Sequence, residues 1–460
     1  MLLLALPHWR RYFLSERWGG YGQSDPSVDL LQSPIGSTTV AATWFCCAVL
    51  ISSGTFTVAA AAINLLLCRY FFVQMRWKGL LRGFGAPGFM AYWTGLVLFL
   101  LELTAHYAPE QFSLALLVAQ VDFASIMLSA GFYKLKAGYA DNNGIEYGLA
   151  NPQWSWWSSF YKDMPPGHAL FKVLNHLSWS GELVAGLLML APPTRFIGGL
   201  LILASFLFVS TQIRLGVLCQ IVMLDCFLFF HPSSPGDVVC RTLAGASTAG
   251  LTAHPISMIA ATVKVALWSY LALLPFAHAG LAYNFYKGKV LPEPVQSILE
   301  KYTNFFGIII WRVFSADHTN FFPFIYKRKR GSEVAPAELV SNYSIAGGLR
   351  FFDVGESIVL TCLFTTLKYY ASNKALFQER LIRYARTIPC ERDCVLEFVY
   401  MQIHKSESNF EYVPAVSYKV DLADSSVTEL RTEAEACAQP PGARSLLQEG
   451  IRPGSYAPLR

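Results

Sequence analysis

The chain has 460 residues, of which 53% are hydrophobic and only 15% charged, and its formal net charge is +5. Soluble domains carry about 25% charged residues, so this balance excludes an ordinary soluble globule. So small a positive excess gives no argument for a nucleic-acid partner and only a slight one for anionic lipid. The apolar residues gather in runs near the ~20 residues that cross a hydrocarbon core. The fold class expected is therefore an all-α polytopic membrane bundle of about seven spans with a small C-terminal extramembrane α+β domain.

Taken in order, Met1 to Leu6 is apolar but too short for a secretory signal. Trp9 to Trp18 mixes Trp, Tyr, Phe and Arg, which makes residues 1–37 an interfacial N-terminal segment. An Arg-bearing start also suits a mitochondrial transit peptide, a reading that Glu16 and the tryptophans weigh against. Residues 38–283 make the transmembrane domain. Its spans are expected at Thr38 to Leu67, Ala91 to Tyr107, Phe112 to Lys134, Phe171 to Leu190, Phe196 to Ile213, Leu215 to Phe230 and Ile256 to Tyr283.

Residues 284–345 read as an interfacial or loop region. In it, Phe305 to Val313 is too short to span and reads as interfacial or re-entrant, and the basic run Lys327-Arg328-Lys329-Arg330 suits cytoplasmic headgroups. Residues 346–423 form the small α+β domain. It holds a packed or interfacial helix from Phe352 to Tyr370 and an amphipathic helix from Leu376 to Ala385. A strand through Val416, Tyr418, Val420 and Leu422 alternates with polar residues, and Cys394 to Ile403 is its partner across a turn at Lys405 to Asn409. The tail, 424–460, is rich in Ala, Glu, Pro and Gly and reads as disordered. The most basic segments are the loop with Arg69, Arg76, Lys78 and Arg82 and the run at 327–330. With an odd number of spans this favours the N-terminus outside and the C-terminal domain inside, against the basic N-terminal segment.

Of the ten cysteines, Cys46, Cys47, Cys68, Cys219, Cys226 and Cys362 lie in or beside apolar runs and read as small core residues. Cys390 and Cys394 lie outside the membrane, either as a local disulfide or as two free thiols. With only His404 near them they do not make a zinc site, and no metal is expected.

Lys134 ends the apolar stretch from Phe112. A lysine there either snorkels to the headgroups as an anchor or stands at the mouth of a polar cavity, where desolvation makes it a base. Glu102 and His106, Asp122, His176 and Glu182, Gln212 and Arg214, Asp225, Lys264 and His278 add ionisable or polar groups at membrane depth. They amount either to a network that fixes helix packing or to such a cavity. The loop 138–166 packs Trp154, Trp156 and Trp157 into one short stretch. It is an aromatic belt at the interface or a lid over a cofactor. Phosphate-loop, nucleophile-elbow and kinase signatures are not found in the sequence.

The block Ser129-Ala130-Gly131-Phe132-Tyr133-Lys134-Leu135-Lys136 is followed by the Trp-rich loop, by Asn175-His176-Leu177, by Gly181-Glu182-Leu183-Val184-Ala185-Gly186 and by Thr194-Arg195-Phe196. In this order the chain resembles the horizontally transferred transmembrane (HTTM) domain, shared by vitamin K-dependent gamma-glutamyl carboxylase and related bacterial proteins, and it is also similar to lipase maturation factors. The resemblance covers residues 38–320, with Trp311-Arg312-Val313-Phe314 similar to a Trp-x-x-Phe element of the family. It implies that Lys134 is the base that starts oxygenation of vitamin K hydroquinone. It also implies that Glu182 matches an acid of the following helix. The candidate catalytic residues are then Lys134, Glu182 and His176, and the candidate cofactor-binding residues are Trp154, Trp156, Trp157 and Asp122. The chain departs from the carboxylase in having Tyr133-Lys134 where that enzyme has a lysine pair, and in the small size of its C-terminal part.

The function expected is that of an integral membrane protein of HTTM type, an assembly or maturation factor or an accessory subunit of a membrane complex. The alternative is a membrane enzyme that uses a lipid-soluble quinol with Lys134 as base. A quinone, a quinol or a bound lipid is the cofactor these readings allow. Membrane lipids and protein partners in a complex are the partners, in the endoplasmic reticulum or in a bacterial or mitochondrial inner membrane. A transporter is disfavoured, since no inverted repeat is visible.

Overall fold

The computed structural model describes residues 2–76, 78–230, 256–288, 290–309, 316–330, 338–340, 354–369, 373–389 and 394–431. The longer helices are α1 (Pro34–Ser52), α2 (Thr57–Cys68, running on as a π turn, Arg69–Gln74), α3 (Gly85–Tyr107), α4 (Phe112–Lys136), α5 (Ala169–Leu190) and α6 (Arg195–Gln212). They continue with α7 (Leu218–Asp225), α8 (Ser257–Lys287), α9 (Glu293–Phe306), α10 (Val354–Tyr369) and α11 (Lys374–Ala385). Among the described residues six helical stretches are long and apolar enough to cross a membrane: α1, α2 with its π turn, α3, α4, α6 and α8.

The first expected span is in fact two helices. A single helix from Thr38 to Leu67 would be about 45 Å long at 1.5 Å per residue, well beyond the ~30 Å hydrocarbon core. The chain turns instead at Gly54 (φ 70°) and Phe56 (φ 50°). The run read as Leu215 to Phe230 is only α7 and a short 3₁₀ turn, Cys226–Phe229. The α5 span is present as a helix, though it is not among the six.

Splitting the first span changes the topology. Ile256 N–H donates to Tyr107 O (3.0 Å), so α8 starts beside the α3–α4 turn. It finishes beside the end of α4, where Phe285 meets Tyr133 and Tyr286 meets Phe132. The turns α1–α2, α3–α4 and α5–α6 therefore share one end of the bundle. At the other end Gly79 bridges to Gly22, Tyr12 packs on Phe84, and Tyr21 stacks on Tyr384. The N-terminal segment and the C-terminal domain thus sit at the same end, which corrects the expectation that they lie on opposite sides. The N-terminal segment is packed inward, with Tyr12, Phe13, Leu14 and Tyr21 buried.

Small residues set the helix crossings, as close packing between apolar helices requires. A Cβ on Gly131 would come within 2.8 Å of the backbone of Leu183 and Trp179, and one on Gly186 within 3.0 Å of Leu128 N. α4 and α5 therefore cross antiparallel at van der Waals contact, and Gly198 does the same for α6 against Ala185 and Met189 of α5. Gly131→Val is expected to cost at least the 1–3 kcal/mol of an overpacked core, read from thermal unfolding in detergent. Gly181, whose Cβ position is open, tolerates alanine. Equal melting of the two variants would contradict the crossing.

α9 folds back along α8. Asn284 Nδ2 donates to Gln296 Oε1 (2.7 Å), Leu299 lies on Gly280, and Tyr302 OH donates to Tyr270 O (3.3 Å). At its end Phe305 O accepts from Tyr92 OH and from Arg69 Nη1. The element expected at Phe305 to Val313 is described only to Ile309, and Trp311 to Phe314 lies outside the described residues.

The C-terminal domain is an antiparallel sheet in the order β2-β1-β3-β4-β5, with β1 Phe321–Lys329, β2 Glu338–Leu339, β3 Cys394–Lys405, β4 Phe410–Asp421 and β5 Ser426–Arg431. The β3–β4 hairpin is the one the alternation predicts. β1 corrects the loop reading of 284–345, and β5 corrects the disordered reading of the first residues of 424–460. The basic run ends β1 and is spent across the sheet. Arg328 pairs with Glu397 (3.0 Å), and Arg330 pairs with Asp421 (3.1 Å) and Asp424. α10 and α11 pack Phe364, Phe377 and Tyr384 against Tyr400, Tyr418 and Phe398 of the sheet. Cys394 is disulfide-bonded, which excludes the free-thiol alternative for it. Its partner lies outside the described residues, because the six other described cysteines are free.

Candidate functional site

Lys134 lies three residues beyond Gly131, the point where α4 touches α5. Glu182 lies between Trp179 and Leu183, the two residues that touch Gly131. The close crossing therefore delivers the two side chains to each other. Lys134 Nζ donates to Glu182 Oε1 at 2.6 Å, and the side chains are only 13% and 8% exposed. The ammonium turns into the protein and does not reach outward as a headgroup anchor. Glu182 Oε2 is buried with no hydrogen-bond partner. Desolvating such a pair costs several kcal/mol per ion, which the mutual attraction repays only when geometry and hydrogen bonding are complete.

A second buried pair stands next to the first. The fully buried Glu146, in the short helix Ile145–Ala150, accepts from Gly144 N–H, from Asn175 Nδ2 (2.8 Å) and from Lys405 Nζ (2.6 Å). Asn175 Oδ1 in turn accepts from Ile145 N–H (2.9 Å). Lys405 also reaches Asn143 Oδ1 (3.0 Å) and lies over the Tyr147 ring. Gly144 presses its Cα on the ring of Tyr139, which is buried. Burial first, and then the charges of Glu182 and Glu146, push the Tyr139 phenol well above its ordinary pKa, so it stays protonated. Lysine, carboxylate and phenol thus occur together where the bundle meets the sheet.

His176 does not join them. It is exposed, with its ring nitrogen 3.3 Å from Trp179 Nε1. Asn175 and Glu182, seven residues apart, share the inner face of α5, and one residue further round the helix points about 100° away. Asp122 is also elsewhere, midway along α4, where its Oδ2 accepts from Trp93 Nε1 (2.8 Å) and Tyr270 OH (2.6 Å).

The Trp-rich loop closes the end of α6. The last carbonyls of a helix have no partner within it. Here Trp156 Nε1 donates to Ser210 O (3.2 Å), Trp157 Nε1 to Thr211 O (2.8 Å), and Trp156 N–H to Gln212 O (3.1 Å). Arg214 N–H donates back to Trp154 O, and the Arg214 guanidinium to Pro152 O and over the Trp156 ring. Asn151 and Gln153 tie the same loop to Phe321 O and Ser357 O of the C-terminal domain. Two of the three indoles expected to attend a cofactor thus donate their N–H groups to a helix terminus.

Sequence reasoning missed Tyr139, Glu146, Asn175 and Lys405. Asn175 was adjacent to a residue singled out, and helical phase separates the two. Lys405 lies 259 positions from Glu146, and nothing local marks it. Among the described residues no group of three His, Cys, Asp or Glu side chains is placed to hold a metal ion. No family model matches the chain, and neither a curated protein nor a solved structure matches it.

Proposed function

We propose that the chain is an integral, multi-pass membrane protein of HTTM type, and that the Lys134–Glu182 pair is an acid–base centre working on a lipid-soluble, quinol-class substrate. The observation that carries this reading is the buried 2.6 Å pair with one carboxylate oxygen left unbonded. A buried ion pair is weak as a source of stability, and at membrane depth an ionisable residue is a functional group by default. Glu182 takes the ammonium proton, which frees the Lys134 amine to remove a proton from a substrate hydroxyl. The six apolar helices of spanning length support the membrane location.

The second reading is the assembly or maturation factor, or accessory subunit, with the pair as a rigid lock between α4 and α5. It is favoured by the indoles of Trp156 and Trp157 being spent on the end of α6.

The two are separated by comparing Lys134→Arg with the wild type in an air-saturated native membrane preparation supplied with a reduced quinone, with dioxygen as the electron acceptor, following quinol oxidation and the chains that co-purify. An acid–base centre loses at least about 100-fold in turnover, because arginine keeps the charge and gives up no proton. Its co-purifying partners stay unchanged. Wild-type turnover in the arginine variant, or no quinol oxidation by either, sinks the enzymatic reading.

A further inference from the structure

Arg69, in the π turn that extends α2, makes no ion pair among the described residues. α2 begins at Thr57 beside the α1–α2 turn, so Arg69 lies about 18 Å of helix rise from that end, within the ~30 Å of a hydrocarbon core. Only one nitrogen of its guanidinium is spent. Nη1 donates to Phe305 O (3.3 Å), with Tyr92 OH at 3.5 Å, and the group lies over the Phe305 ring at 4.7 Å. Nε and Nη2, the other edge of the fork, have no partner among the described residues and stay accessible. α9 brings a second cation to the same place. It runs inward from the end where α4 and α8 finish, from Gln296 at Asn284 to Phe305 at Tyr92. Lys301 lies one turn before Phe305 on the same face of α9, is exposed, and makes no ion pair among the described residues. The neighbouring acid, Glu300, lies one position round the helix and accepts from Gln296 Nε2 (2.6 Å). The walls beside the two cations are apolar and open. Leu66 on α2 is 64% exposed, and Ile298 and Phe305 on α9 are 69% and 50% exposed.

We infer that this crevice between α2 and α9 binds one anionic phospholipid, with its phosphate on Arg69 and Lys301 and its acyl chains along Leu66, Ile298 and Phe305. The inference rests on the membrane location proposed above and not on the acid–base centre. One edge of a guanidinium matches two phosphate oxygens, and the stack on Phe305 fixes its plane before the lipid arrives. A cation at membrane depth needs an anion or a carbonyl beside it, and Phe305 O takes up only Nη1. Lys301, one turn nearer the headgroups, sets the choice of lipid. It attracts a headgroup of net negative charge and repels the trimethylammonium of phosphatidylcholine.

The test is native mass spectrometry of the full chain in detergent, titrated with phosphatidylglycerol and with phosphatidylcholine. The wild type is expected to hold one phosphatidylglycerol at least about fivefold more tightly than phosphatidylcholine, and Lys301→Gln to lose about that factor, the worth of one basic group at a headgroup. Arg69→Gln is expected to lose at least as much. It also gives up the bond to Phe305 O, so if it does not fold, Lys301→Gln at an exposed residue carries the test alone. Lys172→Gln, at an exposed lysine of α5, is expected to change nothing. Equal affinity for the two lipids, wild-type binding in Lys301→Gln, or an equal loss in Lys172→Gln overturns the site. So does a preference that excess inorganic phosphate abolishes, which would make the ligand a free anion. A chain recovered from the soluble fraction without detergent would overturn the membrane reading and the site with it, whereas a detergent-extracted chain with no lipid preference overturns the site alone.

Discussion

Lys134→Met is expected to lower the stability of the folded chain by roughly 3–5 kcal/mol, the cost of leaving a buried carboxylate without its cation. Glu182 has no other hydrogen bond to lean on: one oxygen is bonded only by Lys134 and the other by nothing. The double variant Lys134→Met, Glu182→Met is expected to recover most of that loss, since replacing a whole buried pair by apolar side chains is often neutral or stabilising. Thermal or denaturant unfolding in detergent of the two single variants and the double variant closes the cycle. Additive losses would mean that the two side chains do not meet. A single variant that melts like the wild type would make Lys134 an exposed anchor after all.

The second large effect lies at the other junction of the bundle with the C-terminal domain. Glu356, in the first turn of α10, accepts from Arg11 (3.0 Å), Tyr12 OH (3.3 Å), Tyr21 OH (2.8 Å) and Tyr384 OH (3.2 Å). Burial, together with the Glu356 charge, holds the Tyr21 and Tyr384 phenols well above their ordinary pKa, so both remain donors. Arg11 also donates to Thr387 Oγ1 (3.1 Å) and lies over the Tyr21 and Tyr384 rings. One carboxylate thus joins the N-terminal segment to α10 and α11. Glu356→Ala leaves a partly buried guanidinium without its carboxylate and removes the acceptor of three phenols, and is expected to cost about 3 kcal/mol. The first visible result should be rapid amide exchange in the Tyr12–Tyr21 segment. Glu356→Gln, which keeps one acceptor oxygen and turns the other into a donor, should exchange less than the alanine variant. Unchanged protection of Tyr12 and Tyr21 in the alanine variant would show that the segment is held by packing alone.

The parts of this fold that are long apolar helices or that alternate across a strand are the parts legible in the sequence. Apolar runs mark α3, α4, α6 and α8, which are long and apolar enough to cross a membrane. The β3–β4 hairpin is legible because Val416, Tyr418 and Val420 alternate with Ser417 and Lys419. The break at Gly54 was hidden, since Ser52, Ser53 and Thr55 also sit comfortably inside a long apolar helix. β1 was hidden because Phe321-Phe322-Pro323-Phe324 does not alternate and carries a proline. In the site, Lys134 and Glu182 were each legible as ionisable residues in or beside apolar runs. Their pairing was not, because it depends on the close α4–α5 approach that Gly131 permits. His176 reads as the more reactive side chain of the pair, but helical phase places Asn175 inside and the histidine outside. Lys405 comes from a strand far along the chain, where only the folded sheet brings it to Glu146.

The central claim is that Lys134 is turned inward onto Glu182 and is not an anchor at the membrane surface. Electron cryomicroscopy of the full chain in lipid nanodiscs tests it most directly. The account predicts density for the Lys134 ammonium within hydrogen-bond distance of the Glu182 carboxylate, beside the Gly131 crossing and screened from lipid headgroups. A Lys134 side chain extended into the headgroup layer, with Glu182 bonded elsewhere, would contradict it.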